Sequence, residues 1–333
     1  MKKKAVFTLI TCSVAALFLI CVLAVGLSEN GFGIGTLFHE SKEGWSKSEG
    51  QSREYTWDPA ETEVTGLKID WVNGKIDVKV GSGDVIRITE QSAYGELKED
   101  HQLKLSSSDG ILRIKWGRDF LFFNIFENRR KDLTVEVPQA VAEAMEELSC
   151  SNTSGQITVS GFTAEEMNAS STSGDIKLGS LKLSGGLNVS STSGKIEVED
   201  AHISEELSAS TTSGAILLSN VQAEKADLDT VSGDVSCGGS LQELSANTVS
   251  ASVRAELTAC PEEVDLDSVS GCLTLVIPEN SGFEVDYSSV SGSFSSDFPV
   301  TTGSGKSGRA KYSSGSASFQ FSTTSGDMRV LRK

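Results

Sequence analysis

Hydrophobic and polar residues alternate around one short phrase that recurs through the middle of the chain. The phrase is Ser-Gly, followed two residues later by an apolar side chain. Between residues 150 and 292 it returns at intervals of 18 to 21 residues, and only Ala251 replaces its glycine. The serines are Ser154, Ser173, Ser193, Ser213, Ser232, Ser250, Ser270 and Ser291. A period near twenty residues is typical of a stacked solenoid.

Four apolar columns flank the serines, at six and four residues before and at three and five residues after. Alternate side chains of a strand point to opposite faces, so each repeat is predicted to hold two short strands joined at the Ser-Gly corner. The column three residues after the serine reads Ile157, Ile176, Ile196, Ile216, Val235, Val253, Leu273 and Phe294. The pattern predicts an all-β fold, a single-stranded parallel β-helix. Its coils would stack at about 4.8 Å, with the right-handed crossover that is general for parallel strands.

The corner glycine is expected to adopt positive φ, where a Cβ is unfavourable. Ala251 should therefore strain or reshape its corner. Small hydroxyl residues form a further column beside the corner: Ser171, Ser191, Thr211, Thr230, Thr248 and Ser268. Such a ladder either hydrogen-bonds the backbone or presents a regular surface to sugar hydroxyls or ordered water.

Both ends of the solenoid are expected to be capped, because an open coil would pair with other chains. Residues 61–137 contain looser alternating strands and are predicted to be an N-terminal β cap, in which 72–78 imitate a first irregular coil. Residues 138–147 favour one short helix. The β-solenoid is predicted over 138–333, and the segments 312–315 and 324–330 are interpreted as its degenerate last coils.

The N-terminus predicts a transmembrane helix. Lys2, Lys3 and Lys4 would be cytoplasmic, and the uncharged apolar run 5–27 is long enough as a helix to cross a bilayer. A cleaved signal peptide is the alternative. Residues 28–60 are rich in Gly, Ser, Lys and Glu and are interpreted as a linker. The expected localisation is the cell membrane, crossed once, with the C-terminal domain extracellular.

Composition restricts the class of partner. The 333 residues carry a formal charge of −17 with dispersed Lys and Arg, which argues against nucleic acid as a ligand. Of the six cysteines, Cys150 and Cys237 fall in inward columns and are expected to be packed thiols, whereas a bridge between Cys260 and Cys272 stays open.

Two features are candidate sites. Asp229, Asp265 and Asp267 fall in outward columns and offer oxygen ligands for Ca²⁺. A solvated acidic face is the simpler explanation, because the aspartates nearest in register are two coils, about 10 Å, apart. A stretch of four phenylalanines is either a partner contact or a cover over the first coil. Its members are Phe120, Phe122, Phe123 and Phe126. No catalytic or cofactor signature occurs, so the chain is expected to be no enzyme and to need no cofactor.

The repeated motifs at 172–176, 231–235 and 324–328, together with Leu-Thr-Val-Glu-Val-Pro at 133–138 and the membrane segment, resemble the bacterial DUF4097 family of adhesin-like proteins. The resemblance covers about residues 60–333 and implies a β-helical extracytoplasmic domain in the cell envelope. It implies a surface module that binds an unknown ligand or protein partner. The alternatives are an envelope sensor or scaffold subunit that works with another membrane protein and, less in keeping with the residues, a carbohydrate-active enzyme.

Overall fold

The computed structural model describes residues 50–93, 97, 99–117, 130–302 and 306–333. These residues form one compact unit. The predicted membrane segment 5–27 lies outside the described residues. Within those ranges, no helix has the length and apolar character needed to cross a bilayer.

Strands make up nearly all of the regular structure. The N-terminal strands are β1 (Ser52–Trp57), β2 (Gly66–Asn73), β3 (Ile76–Gly81), β4 (Ile86–Ser92), β5 (Lys104–Ser108), β6 (Ile111–Lys115) and β7 (Lys131–Pro138). A 3-10 turn covers Glu99–His101, and helix α1 covers Gln139–Ala142. The helix lies within the segment 138–147, as expected.

The remaining strands belong to the repeats and to the C-terminal region. Those of the repeats are β8 (Met145–Ser154), β9 (Ile157–Ser160), β10 (Thr163–Ser171), β11 (Ile176–Leu183), β12 (Leu187–Ser191), β13 (Ile196–Ile203), β14 (Glu206–Thr211), β15 (Ile216–Thr230), β16 (Val235–Thr248), β17 (Val253–Leu257), β18 (Glu263–Ser270) and β19 (Leu273–Ile277). Those of the C-terminal region are β20 (Gly282–Ser289), β21 (Phe294–Ser296), β22 (Thr301–Thr302), β23 (Ser307–Ser313), β24 (Ala317–Ser325) and β25 (Met328–Arg332).

The repeats stack in parallel, in the predicted register. Ile157 pairs with Ile176, Ile176 with Ile196, and Ile196 with Ile216. All four are fully buried, and the other inward columns line the same continuous core. The expected first irregular coil is also present, since Ile76 pairs with Ile157 and β2 pairs with β8. The all-β solenoid is therefore confirmed.

Each of the central coils has a third inward-facing side that the two-strand prediction missed. It follows the second strand and buries Leu181 and Leu183 in one coil, and Ala201 and Ile203 in the next. Lys182 pairs with His202 along this side, and His202 pairs with Gln222. A second corner therefore separates the second and third sides of each central coil.

The reason for most of the corner glycines differs from the expected one. Gly155 has φ +125°, but Gly174, Gly194 and Gly214 do not have positive φ. Instead, the carbonyl oxygen of the preceding corner fills the space where a Cβ would be. A Cβ on Gly174 would lie 1.8 Å from the oxygen of Gly155, far inside contact distance. Most of the corner glycines are therefore required by the close packing of one coil on the next.

The coils at both ends do not stack in the order of the chain. At the N-terminal end, β2 lies between β6 and β8, and β3 lies between β7 and β9. At the C-terminal end, β24 lies between β18 and β20, and β25 lies between β19 and β21. The segment 324–330 is therefore an internal coil of the stack and not its last one.

Antiparallel strands close the stack at both ends. At the N-terminal end, β4 pairs with β7 and β5 with β6, while β23 pairs with β20 at the other end. The segment 312–315, expected to be a coil, instead belongs to β23 and the turn after it. Strand β1 lies within the predicted linker 28–60 and extends the N-terminal cap by pairing with β4. Tyr55 and Trp57 pack against the core, which explains why these residues are ordered into a strand.

A buried ion pair lies in the N-terminal cap. The Lys131 Nζ is 2.5 Å from Glu90 Oε1, and both side chains are almost fully buried. The same ammonium donates to the backbone oxygen of His101 at 2.6 Å and lies over the ring of Trp116, 4.0 Å from its centroid. The ammonium also lies over the ring of Trp71 in β2, 5.0 Å from its centroid, so one charged group joins the cap to the first coil.

Cys150 and Cys237 are packed thiols, as expected, and burial raises the pKa of each to about 12. Cys260 and Cys272 are free and partly exposed, so the bridge left open between them is not formed in this structure.

Candidate functional site

The second corner of the central coils places non-glycine residues in the left-handed region. Ser180, Asp200 and Asn220 occupy equivalent positions in three successive coils, with φ of 52° to 53°. In the coil before them, Gly161 has this place with φ 87°. Asn and Asp tolerate this conformation better than most residues, but glycine adopts it without steric cost. Three polar side chains are thus carried where glycine would be the most stable choice.

The corner changes in the following coil. Leu218 pairs with Cys237 and Val221 with Gly239, so the later coil has one residue fewer between the two pairs. Gly239 fits there because a Cβ would lie 1.9 Å from the oxygen of Val221. The shortened corner lies at the end of the row of polar corner residues.

A groove of about 520 Å³ runs beside these corners and crosses five consecutive repeats. Its lining consists of the corner side chains, the outward side chains of the third side, and small residues between them. The lining residues are Ser180, Leu181, Lys182, Asp200, Ala201, His202, Asn220, Val221, Gln222, Gly239, Ser240 and Thr258.

Hydrogen bonds between coils hold several of these side chains in place. The Nδ1 of His202 lies 3.1 Å from Oε1 of Gln222, and the amide of Asn220 donates to Asp200 Oδ1 at 2.6 Å. Among the described residues, His202 Nε2 and Asp200 Oδ2 have no hydrogen-bond partner. The groove therefore presents fixed and unused polar atoms to solvent.

The groove carries little net charge. Lys182 and Asp200 are the two residues of fixed charge in its lining, and they have opposite signs. The other polar groups are amides, hydroxyls and one imidazole. In a chain of charge −17, this composition favours a ligand recognised by hydrogen bonds over one recognised by charge.

The predicted calcium ligands lie on a different side of the coils. Asp229 and Asp267 are each paired with Asn247, which lies between them in the ladder. The Asn247 amide donates to Asp229 Oδ1 at 3.0 Å. Asn247 therefore faces Asp229 with a hydrogen-bond donor and not with an oxygen ligand. Asp265 lies on the same strand as Asp267. Among the described residues, no group of three His, Cys, Asp or Glu side chains has a geometry that could hold a metal ion. The calcium site stays a prediction.

A charged cluster lies beside them on the same side. Lys225 Nζ bonds Glu206 Oε1 at 2.9 Å and Asp227 Oδ2 at 2.6 Å. These bonds raise the pKa of Lys225, the bond to Asp227 most. Burial, followed by the hydrogen bond to Glu206, raises the pKa of Asp227, and the same hydrogen bond lowers the pKa of Glu206. The cluster is therefore satisfied internally.

The hydroxyl ladder beside the Ser-Gly corner is buried and faces the backbone. Ser191 Oγ accepts the amide of Gly194 at 2.8 Å, and Thr230 Oγ1 accepts that of Gly233 at 3.1 Å. These side chains are buried, so they are not a surface for sugars or water. At the Ala251 corner the pattern fails, and Thr248 Oγ1 has no partner among the described residues.

The predicted partner contact at Phe120, Phe122, Phe123 and Phe126 lies outside the described residues and stays a prediction. The groove itself was not predicted. The sequence signal of the groove is the column seven residues after each serine, where Gly161 is followed by Ser180, Asp200 and Asn220 in successive repeats. Asp and Asn are residues that tolerate left-handed turns.

Among the solved structures that resemble this chain, one with a TM-score above 0.5 supports the fold. A protein described as a putative adhesin from Parabacteroides merdae shares 14% identity, with 85% of this chain and 96% of that chain covered and a TM-score of 0.51. A putative adhesin from Bacteroides fragilis shares 10% identity over 86% and 100% of the chains, with a TM-score of 0.44. A putative lipid binding protein from Parabacteroides distasonis shares 13% over 85% and 96%, with a TM-score of 0.48.

A search among curated proteins found no match. The sequence model of one family, described as Toastrack DUF4097, matches residues 64–331. These residues include every coil and both antiparallel caps except β1. The chain belongs to the Toastrack DUF4097 family.

Proposed function

We propose that this protein is a binding module of the cell surface, adhesin-like in its use of a rigid solenoid to present a ligand site. The observation that carries the proposal is the polar groove across five repeats. A stacked solenoid suits this role, because each coil supplies an equivalent group at a fixed spacing. The apolar run 5–27 and the three lysines before it support anchoring in the membrane with the solenoid outside.

The first test is binding to cell envelopes. Purified full-length protein, labelled at its C-terminus, is mixed with washed envelope fragments from the organism that produces it. The expected result is saturable binding, which unlabelled protein competes away. Binding that does not saturate would contradict the proposal. The location is tested by an impermeant reagent on intact cells, which should reach a C-terminal tag but not an N-terminal one.

A second role, as a scaffold or sensor subunit, is favoured by a different surface. Val249, Val269 and Val290 each directly precede the corner serine of their repeat, and they are 40%, 50% and 66% exposed. Exposed valines at one corner are suited to contact with a protein. Crosslinking in intact cells, compared between the native chain and a Val249→Thr/Val269→Thr/Val290→Thr variant, tests this role. A protein partner captured only by the native chain would support it.

We propose that the protein binds its ligand without breaking it down. Incubation of the protein with polysaccharides, followed by measurement of new reducing ends, checks this point. Product formation that requires the folded chain would contradict it.

A further inference from the structure

We propose that the groove binds an uncharged polysaccharide whose chain lies along the stack of coils, an inference that rests on the proposed binding function and names its ligand class. The inference is carried by the periodicity of the groove, its charge balance and the conformation of its corner residues.

The groove is periodic along the stack of coils. Lys182, His202 and Gln222 pair in register along the third side, one from each successive coil, and Ser240 follows Gln222 in the next. Parallel neighbours are separated by about 4.8 Å. A polymer of similar units, extended along the stack, would meet a side chain at an equivalent position at each unit. A small molecule would use only one or two of the five repeats that the groove crosses.

The polar groups of the groove match the hydroxyls of a neutral sugar. The lining offers the amides of Asn220 and Gln222, the hydroxyls of Ser180 and Ser240, and the imidazole of His202. Each of these can donate and accept hydrogen bonds, as sugar hydroxyls do. Lys182 and Asp200 balance each other in charge. An anionic polymer would gain little from the groove and would be repelled by a chain of charge −17.

The polar side chains of the groove are preorganised. The pair His202 and Gln222 and the pair Asn220 and Asp200 are each fixed by a hydrogen bond across coils. Side chains that are already held lose less entropy when a ligand binds. The left-handed φ of Ser180, Asp200 and Asn220 points the same way, because a strained conformation is kept where a side chain has a use.

The test separates binding from folding. In the full-length protein, Ser180→Gly, Asp200→Gly and Asn220→Gly are combined, which removes three lining side chains and relieves the left-handed strain. The matched control is Asp109→Gly with Ser313→Gly, since both residues also have positive φ, of 53° and 49°, but lie outside the groove. A second variant, His202→Ala with Gln222→Ala, removes the other hydrogen-bonded pair.

Binding is measured on an array of neutral polysaccharides, such as glucans, mannans and galactans, together with acidic polymers such as hyaluronate and teichoic acid. We expect the native chain and the control to bind at least one neutral polysaccharide equally. We expect both groove variants to bind it at least ~10-fold more weakly, from the loss of several hydrogen bonds, with an unchanged or higher melting temperature for the triple glycine variant.

Other outcomes overturn the inference. They are binding to none of the neutral polysaccharides, binding to acidic ones alone, or neutral binding that survives in both groove variants. The envelope assay distinguishes the two proposals. If the native chain and the groove variants bind envelopes equally, the groove is not the site but the protein remains a binding module. If the native chain does not bind envelopes at all, both proposals fail.

Discussion

The carbonyl oxygen of Gly174 occupies the place where a side chain on Gly194 would begin, 1.9 Å from the position of its Cβ. Alanine at 194 therefore forces the two coils apart. We expect Gly194→Ala to lower the free energy of unfolding by at least about 1–3 kcal/mol, the usual cost of overpacking. Urea denaturation measures the change.

Gly179→Ala is the control for this substitution. Gly179 also lies in a coil, but a Cβ there would meet nothing closer than the oxygen of Glu199 at 3.9 Å. We expect this substitution to change the free energy of unfolding by less than about 1 kcal/mol. An increase is expected rather than a decrease, because alanine loses less conformational entropy on folding than glycine does. Equal destabilisation by the two substitutions would contradict the close approach of the corners.

The stacking of the central coils could be predicted from the sequence because the same side-chain types recur at the same offsets from each serine. The third side could not. Leu178 and Leu181 are both buried but stand an odd number of residues apart, so the alternation is broken by the left-handed corner at Ser180. A serine at that position does not indicate a left-handed conformation, whereas a glycine would.

The order of the terminal coils was also beyond sequence reasoning. Phe319 pairs with both Val264 and Val285 and would suit either as its sole neighbour. Apolar residues in one column are nearly interchangeable, so the pattern indicates that a segment forms a coil but not which coils it lies between. The groove was missed for a related reason, since its side chains are unremarkable singly and meet only through the stack.

The hydroxyl ladder offers a second comparison between neighbouring coils. Thr230 Oγ1 accepts the amide of Gly233, and removal of the hydroxyl by Thr230→Val would leave that amide buried without its partner. We expect a loss of about 1–3 kcal/mol. Thr230→Ser should retain most of the stability. Thermal and urea unfolding measure both.

Thr248→Val provides the contrast one coil further along, where Thr248 Oγ1 is buried without a partner among the described residues. Loss of this hydroxyl should be neutral or stabilising. If Thr248→Val were as costly as Thr230→Val, Thr248 would have a partner that the structure does not show.

Alkaline pH should weaken the fold through its packed thiols. Burial raises the pKa of Cys237 from 9.0 to about 12. The folded thiol stays protonated above pH 9, while the thiol of the unfolded chain ionises. The unfolded state then binds fewer protons, so stability falls as pH rises from about 9 towards 12, by up to about 1.4 kcal/mol per pH unit for each thiol.

Cys237→Ala removes one such group, while Cys150, whose pKa burial also raises to about 12, remains. Urea unfolding at several pH values from 7 to 10.5 should show a shallower decline for the variant than for the native chain. The difference in unfolding free energy between the variant and the native chain at pH 7 measures the lost packing, which is the same at every pH. Parallel declines would contradict the expectation.

Loss of one partner of the ion pair in the N-terminal cap should strongly destabilise the fold. In Glu90→Gln the buried ammonium of Lys131 loses the carboxylate at 2.5 Å. We expect a loss of about 3–5 kcal/mol. The double variant Glu90→Gln/Lys131→Met leaves no buried charge in this pair and should be more stable than Glu90→Gln alone. A double-mutant cycle by urea unfolding measures the coupling, and additive losses would contradict it.

The order in which the coils stack is tested most directly by engineered disulfides. In a background of Cys260→Ser and Cys272→Ser, Asp267→Cys is combined with either Ser322→Cys or Ser288→Cys. Asp267 and Ser322 are neighbours in register, and Ser322 in turn pairs with Ser288, which places Ser288 two spacings from Asp267. Neighbouring strands lie within disulfide reach, whereas two spacings of about 4.8 Å exceed it. Mild oxidation followed by peptide mass spectrometry should find the bridge between positions 267 and 322 and none between 267 and 288. A bridge between 267 and 288, with none to 322, would mean that the coils follow the order of the chain and would contradict this structure.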